Sequence, residues 1–293
     1  MHWPSILLYM ASSFMIIVFN KIILSVFAFE SVAFIMFCQS LFTVVICAVT
    51  AGVNIQKPGI DIVWICILNT FNVWAGISSA GRLNVAMFTA LRRFAILFTM
   101  IGQSYVLSVP IKRRIFVCVL LMIFGSLIAA FHDLSFDINS YASIMFNNLM
   151  TAASNIQKKR TFSWGWSKTS ILFWSAMFRL MLTGIKLVHF DPGSFDYWDR
   201  PAFQVCFSLS VVLGFFINYG ANWTVEKNDA LTLSVAGSAK SAIMGLAVCI
   251  GLFDSSYRFT FWNFAGLQIS AFGSLSYAYM SKRKFSPGPV QVV

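Results

Sequence analysis

Arg92 and Arg93, in LNVAMFTALRRFAILFTM, and Lys240, in SVAGSAKSAIMGLAVCI, are cations set deep in otherwise apolar stretches. Guanidinium grips phosphate as a rigid fork and ammonium binds it as a point charge, so this pairing suits a phosphate-bearing ligand. The arginines lie about eight or nine residues into their stretch and Lys240 about ten, which at 1.5 Å per residue is roughly 12 to 15 Å. That is near the middle of a ~30 Å hydrocarbon core. A charge there costs about 2.5 to 3.5 kcal/mol even on the most lenient scale, so it should face a wet cavity or a partner. No carboxylate falls in the interior of a stretch to serve as that partner; Asp61 sits at the edge of one. Water, carbonyls at broken helices or an anionic ligand remain.

Other residues fill out a candidate site. Neighbours on a helix point about 100° apart, so Arg92 and Arg93 cannot both aim at one spot, and one is expected to bond to an adjacent helix. Gly237, Ser238 and Ala239 precede Lys240 and are small enough to let a ligand approach the backbone closely. Lys21 lies nearer the end of its stretch, where it could snorkel to the interface. Arg179 lacks a small-residue setting. Asn20, Asn69, Asn72, Asn147, Asn148, Asn155, Ser175 and Asn218 are uncharged polar residues whose default role is helix-to-helix hydrogen bonding. Among aromatic residues, 16% of the chain, Trp174 and Tyr219 are the candidates for stacking on a base.

The elements that must position these residues follow from runs of about 20 apolar residues. Ten candidate spans emerge, roughly 4–26, 32–52, 60–80, 84–107, 113–131, 139–157, 169–188, 202–222, 230–252 and 260–280. The expected fold is an all-α integral membrane protein, a single domain over 1–293 with connections too short for any folded extramembrane part. The first span is read as a retained helix: it lacks a basic start and an obvious cleavage site, and its apolar run exceeds that of a signal peptide. Ten spans divide into two sets of five of opposite orientation, 1–135 and 136–293, the arithmetic of an inverted repeat with a ligand site near the midplane. Arg93-Phe94-Ala95-Ile96 can be laid against Lys240-Ser241-Ala242-Ile243, giving each half one deep cation.

Twenty-one basic residues against ten acidic give a net charge of +11. The basic clusters, Lys112-Arg113-Arg114, Lys158-Lys159-Arg160 and Lys282-Arg283-Lys284, fall on one side of the expected topology, while Arg82, Arg200 and Arg258 fall on the other. Under the positive-inside rule both termini are cytosolic, and the bilayer explains the charge without a nucleic-acid partner. All six cysteines lie in proposed spans, without a CxxC pair or histidine spacing suited to zinc, so neither metal nor other cofactor is expected. Positioned acids, bases or metal ligands are lacking within the spans, which speaks against an enzyme. Asn222-Trp223-Thr224 fits the glycosylation pattern but sits at the cytosolic end of its span, where it should stay unmodified.

Asn20-Lys21, the stretch GRLNVAMFTALRRF over 81–94, Thr151-Ala152-Ala153 followed by Lys158-Lys159, and VAGSAKS over 235–241 resemble the nucleotide-sugar transporters of the drug/metabolite transporter superfamily, most of all solute carrier family 35, subfamily D. The resemblance runs over essentially the whole chain. It implies a Golgi or endoplasmic reticulum antiporter that carries a nucleotide sugar, a UDP-sugar in that subfamily, into the lumen and returns the nucleoside monophosphate. It further implies that Gly237 to Ser241 contacts sugar and phosphates on the ninth helix. Phe173-Trp174-Ser175 stands where the family has a Phe-Tyr-Asn type motif that reads the base, and Ser241 stands where subfamily D has Asn.

The expected substrate-binding set is therefore Lys240, Arg92, Arg93, Gly237, Ser238, Ser241, Trp174, Ser175, Tyr219, Asn147 and Lys21. A same-fold exchanger of another phosphorylated metabolite, of the triose phosphate or phosphoenolpyruvate type, and a divergent homologue without transport stay open as alternatives. A homodimer is compatible with the sequence, which carries no coiled coil or GxxxG pattern to fix the oligomer.

Overall fold

A bilayer offers no water to backbone polar groups, so apolar runs of this length satisfy their amides internally, as helices. The computed structural model describes residues 1–80, 91–130, 138–188, 195–238 and 261–282, and the regular structure among them is helical. The helices are α1 Trp3–Lys21, α2 Val32–Ala51, α3 Ile60–Ala80, α4 Phe94–Leu107, α5 Arg113–Ala130, α6 Ile138–Ser163, α7 Lys168–Leu187, α8 Pro201–Lys227 and α9 Phe261–Lys282. Residues 230–238 are also helical. Among the described residues, four helical segments are long and apolar enough to cross a membrane: Trp3–Leu24, Val32–Thr50, Lys168–Leu187 and Pro201–Lys227.

Two expected spans change shape. The first, 4–26, is α-helical only to Lys21 and finishes as a π-helical turn, Ile22–Val26. The fourth, 84–107, is not continuous: residues 92–93 form a turn and α4 begins at Phe94. The sixth and eighth run beyond their apolar cores, to Ser163 and Lys227. Hydropathy stops where side chains become polar, whereas Gln157-Lys158-Lys159-Arg160 are good helix formers and carry the helix on. The connection holding the 135/136 repeat boundary lies outside the described residues.

The chain divides into two compact units, one of Ile67–Ser163 with Asn228–Val293 and one of His2–Cys66 with Trp164–Lys227. In the first, α5 packs along α9 and α4 along α6. The α5–α9 contact is a backbone approach: a Cβ at Gly125 would meet Ser270 N at 2.6 Å, and one at Gly266 would overlap the Gly125 carbonyl and the Ala129 amide. Gly125-xxx-Ala129 and Gly266-xxx-Ser270 are small-xxx-small pairs, the membrane device for close helix packing. Ile96, Met100, Val119, Met122, Leu231, Val235 and Tyr277 fill the core of this unit.

In the second unit, α1 packs along α8, and α2 along α7 and α8. Asn20, Ser210 and Gln39 tie three of them together: the Ser210 hydroxyl donates to Asn20 Oδ1 at 2.5 Å and accepts from Gln39 Nε2 at 3.0 Å. Phe29, Phe34, Phe195, Trp198, Phe203 and Phe207 close one end. Phe29 and Phe195 meet there edge to face with centroids 4.8 Å apart, a favoured aromatic arrangement.

Candidate functional site

The first unit carries its polar side chains on one stripe of α6. Asn147, Asn148, Thr151, Ser154 and Asn155 recur at helical spacing, so they share a face. α3 offers the matching acceptors: Ser154 donates to Asn69 Oδ1 and Thr151 to Asn72 Oδ1, both at 2.5 Å. Asn69-xx-Asn72 running against Thr151-xx-Ser154 was a legible signal, since two polar pairs at the same spacing can meet across antiparallel helices. Asn155 extends the seam by donating to Ser234 Oγ at 3.4 Å, which lies 3.0 Å from Thr99 Oγ1.

At one end of this seam the chain breaks. Asn148 Nδ2 donates to the Leu91 carbonyl at 2.7 Å, occupying an acceptor that an unbroken helix would use internally. Ala95 N and Ile96 N then bond back to the carbonyls of Arg92 and Arg93 at 3.2 and 3.0 Å, three residues away rather than four. Arg93 stands at the N-cap of α4 in an αR backbone with φ −71° and ψ −19°. The break needs neither glycine nor proline, which is why the sequence does not advertise it; Asn148 supplies the alternative bond instead.

The two arginines, side by side in the turn before α4, have different surroundings. With the Asn147 amide oriented to suit its neighbours, its nitrogen donates to Asn72 Oδ1 at 2.7 Å and its oxygen accepts from Arg92 Nη1 at 3.0 Å. Arg92 is thus held by α6, as expected of one of the pair. Arg93 is 2% exposed, and its Nε and Nη1 are buried without a hydrogen-bond partner among the described residues. Buried guanidinium donors left unmatched are costly, and a charged group even more so. An anion would satisfy them.

The helical stretch 230–238 has its N-terminus capped twice, by Asp229 Oδ1 accepting from Thr232 N at 2.7 Å and by Gln103 Oε1 accepting from Leu231 N at 3.2 Å. Gly237 and buried Ser238 end the described part of it. Lys240 and Ser241 lie outside the described residues, as does the side chain of Lys21 at the end of α1.

The remaining candidates belong to the second unit, where each has a local role. The Trp174 indole donates to the Gln56 carbonyl at 2.9 Å. Gln56 further receives the Ser167 amide on its Oε1 at 2.9 Å and donates its own amide to Ser170 Oγ at 3.1 Å, so the α2–α3 connection is clamped to the start of α7. Tyr219 stacks on Phe215 with centroids 5.7 Å apart and has Lys168 Nζ 5.2 Å from its ring centre. Lys168 also pairs with Glu226 at 3.7 Å. Two expectations of helix-to-helix bonding fail. Asn218 donates at 2.7 Å to Gly214 of its own helix, the short back-bond open to such side chains, and the buried Ser175 hydroxyl has no partner among the described residues. The Asn222 side chain is buried, leaving no room for a glycan.

Helices long and apolar enough to cross a membrane, enclosing buried polar side chains, are the build of an integral membrane protein. A solved crystal structure shares the fold, with a TM-score of 0.71 at 10% sequence identity over 97% of this chain and 99% of that one. No protein-family model matches. The UDP-sugar transporter sqv-7 of Caenorhabditis elegans is 34% identical over 298 residues, 96% of this chain and 89% of its own length. The nucleotide sugar transporter SLC35D2 of Mus musculus is 31% identical over 289 residues, 94% and 88% of the two chains. The chain belongs to the nucleotide-sugar transporter family.

Proposed function

We propose that the protein is an antiporter that moves a UDP-sugar from the cytosol into the Golgi lumen, or that of the endoplasmic reticulum, and returns the nucleoside monophosphate. Ten membrane helices in two inverted repeats of five, with both termini cytosolic, complete this reading. Arg93 is the observation that carries it: a buried guanidinium with unmatched donors, set at a helix break, in a family whose cargo is anionic. In this reading Arg93 and Lys240 neutralise the diphosphate and Gly237, Ser238 and Ser241 line its approach. Arg92, held by Asn147, adds positive potential. Trp174, Ser175 and Tyr219 read the base, and Lys21 completes the set.

Exchange rather than proton or sodium coupling follows from the lack of a carboxylate within the interior of any proposed span. Uptake of labelled UDP-, GDP- and CMP-sugars into proteoliposomes, empty or preloaded with UMP, GMP or CMP, tests the proposal. UDP-sugar uptake stimulated by internal UMP is the expected result, with loss of uptake in Lys240→Ala protein that still folds. A strict requirement for a proton gradient, or uptake indifferent to the preloaded nucleotide, would overturn it.

A further inference from the structure

A cavity lies wholly within the first unit, and neither arginine of the turn before α4 lines it. It has a volume of about 920 Å³ and is bounded by Lys112, Arg113 and Arg114 before and at the start of α5, by Asp229, and by Tyr277 and Tyr279 near the end of α9. A narrower groove of about 370 Å³ shares Arg113, Arg114 and Met280 with it and continues along Val117, Leu121 and Phe272 on the α5 and α9 faces. The two together have one basic end and one apolar end.

The positive-inside rule accounts for the charges but not for a cavity beneath them. Nor does helix electrostatics favour their position. The first turn of α5 holds Arg113 and Arg114 and no acid, although a helix N-terminus carries partial positive charge and prefers anions. Neither arginine makes a salt bridge to a described residue. Asp229, the acid in the cavity wall, has Oδ1 committed to the Thr232 amide. Tyr279 is 61% exposed, as befits an aromatic at the level of lipid headgroups. An anionic group between the guanidiniums would relieve the clash with the helix end, and an acyl chain has the adjoining groove to follow.

We propose that this cavity and groove bind an anionic phospholipid, its phosphate against Arg113 and Arg114 and one acyl chain along Val117, Leu121 and Phe272. Anionic lipids of the cytosolic leaflet are the available source, and each basic residue near such a surface changes affinity by roughly fivefold. The site is separate from Arg93 and does not depend on which sugar is carried.

The purified full chain in neutral detergent would be titrated with dioleoylphosphatidylserine, dioleoylphosphatidylcholine or the soluble headgroup glycerophosphoserine, reading the melting temperature. Phosphatidylserine should raise it in a saturable way, while the other two should not. Arg113→Gln with Arg114→Gln should weaken the apparent affinity by roughly 25-fold. Leu121→Trp, which keeps every charge and fills the groove, should also weaken it. An equal rise with phosphatidylcholine would overturn the headgroup assignment, and an equal rise with glycerophosphoserine would show a simple anion site. An undiminished response in Leu121→Trp protein would remove the acyl chain from the groove.

Discussion

The two units handle polarity in opposite ways. Every described helix that is both long and apolar enough to cross a membrane, α1, α2, α7 and α8, lies in the second unit. There the polar contacts are sparse, as in the Asn20–Ser210–Gln39 chain, or confined to the ends, as around Gln56. The first unit gives up apolarity along α6 and continuity before α4, and so places a buried, unmatched arginine beside a ladder of amides and hydroxyls. The second unit also carries a cation within a span, Arg179 in the middle of α7, but Arg93, buried at a helix break with partnerless donors among the described residues, belongs to the first.

Replacing Arg93 with Met tests this contrast most severely. Removing a buried, incompletely paired charge is often neutral or stabilising by about 1–4 kcal/mol, while loss of a desolvated charge contact to ligand costs 2–5 kcal/mol or more. Arg93→Met should thus melt no lower than the parent without ligand and should lose uptake by roughly thirtyfold or more. A lower melting temperature with normal uptake would make Arg93 a structural residue.

Packing gives the next largest effect. Gly266→Leu drives a side chain into the Gly125 carbonyl and Ala129 amide and should destabilise by about 3 kcal/mol. Gly184→Ala in the second unit meets only Phe37, at 3.6 Å, and should melt within about 0.5 kcal/mol of the parent, the range of changes away from special features. Thermal unfolding of the two variants side by side reads the difference between backbone contact and ordinary side-chain contact.

The smallest effect is expected at Gln56. Gln56→Ala removes the side-chain acceptor for the Ser167 amide but keeps the carbonyl that holds Trp174, and should cost about 0.5–1.5 kcal/mol. Hydrogen exchange should quicken around 165–170 and remain unchanged around 91–96. Faster exchange in both places would mean that the units do not respond separately.

Much of this was legible in the residues. The apolar runs mark most helices to within a few positions, and the expectation that one of Arg92 and Arg93 bonds to an adjacent helix is met by Arg92 and Asn147. The break before α4 was not legible, because it depends on Asn148 reaching the Leu91 carbonyl from 57 positions away. The close α5–α9 contact was missed for a different reason: a search for paired glycines overlooks Ala129 and Ser270, although backbones need only small residues to approach. Trp174 and Tyr219 were singled out by residue type, which carries no information on the Gln56 carbonyl or the Lys168 ammonium that engages each.

The polar stripe on α6 also bears on how the protein is made. α6 is far less apolar than α1 or α2, so leaving the translocon alone would strand Thr151 and Ser154 in hydrocarbon. α3 is synthesised earlier and already presents Asn69 and Asn72. In the proposed ten-helix arrangement, the order of helices along the chain therefore supplies α6 with acceptors at the moment of its insertion, and its residence in the bilayer is secured by company rather than by composition.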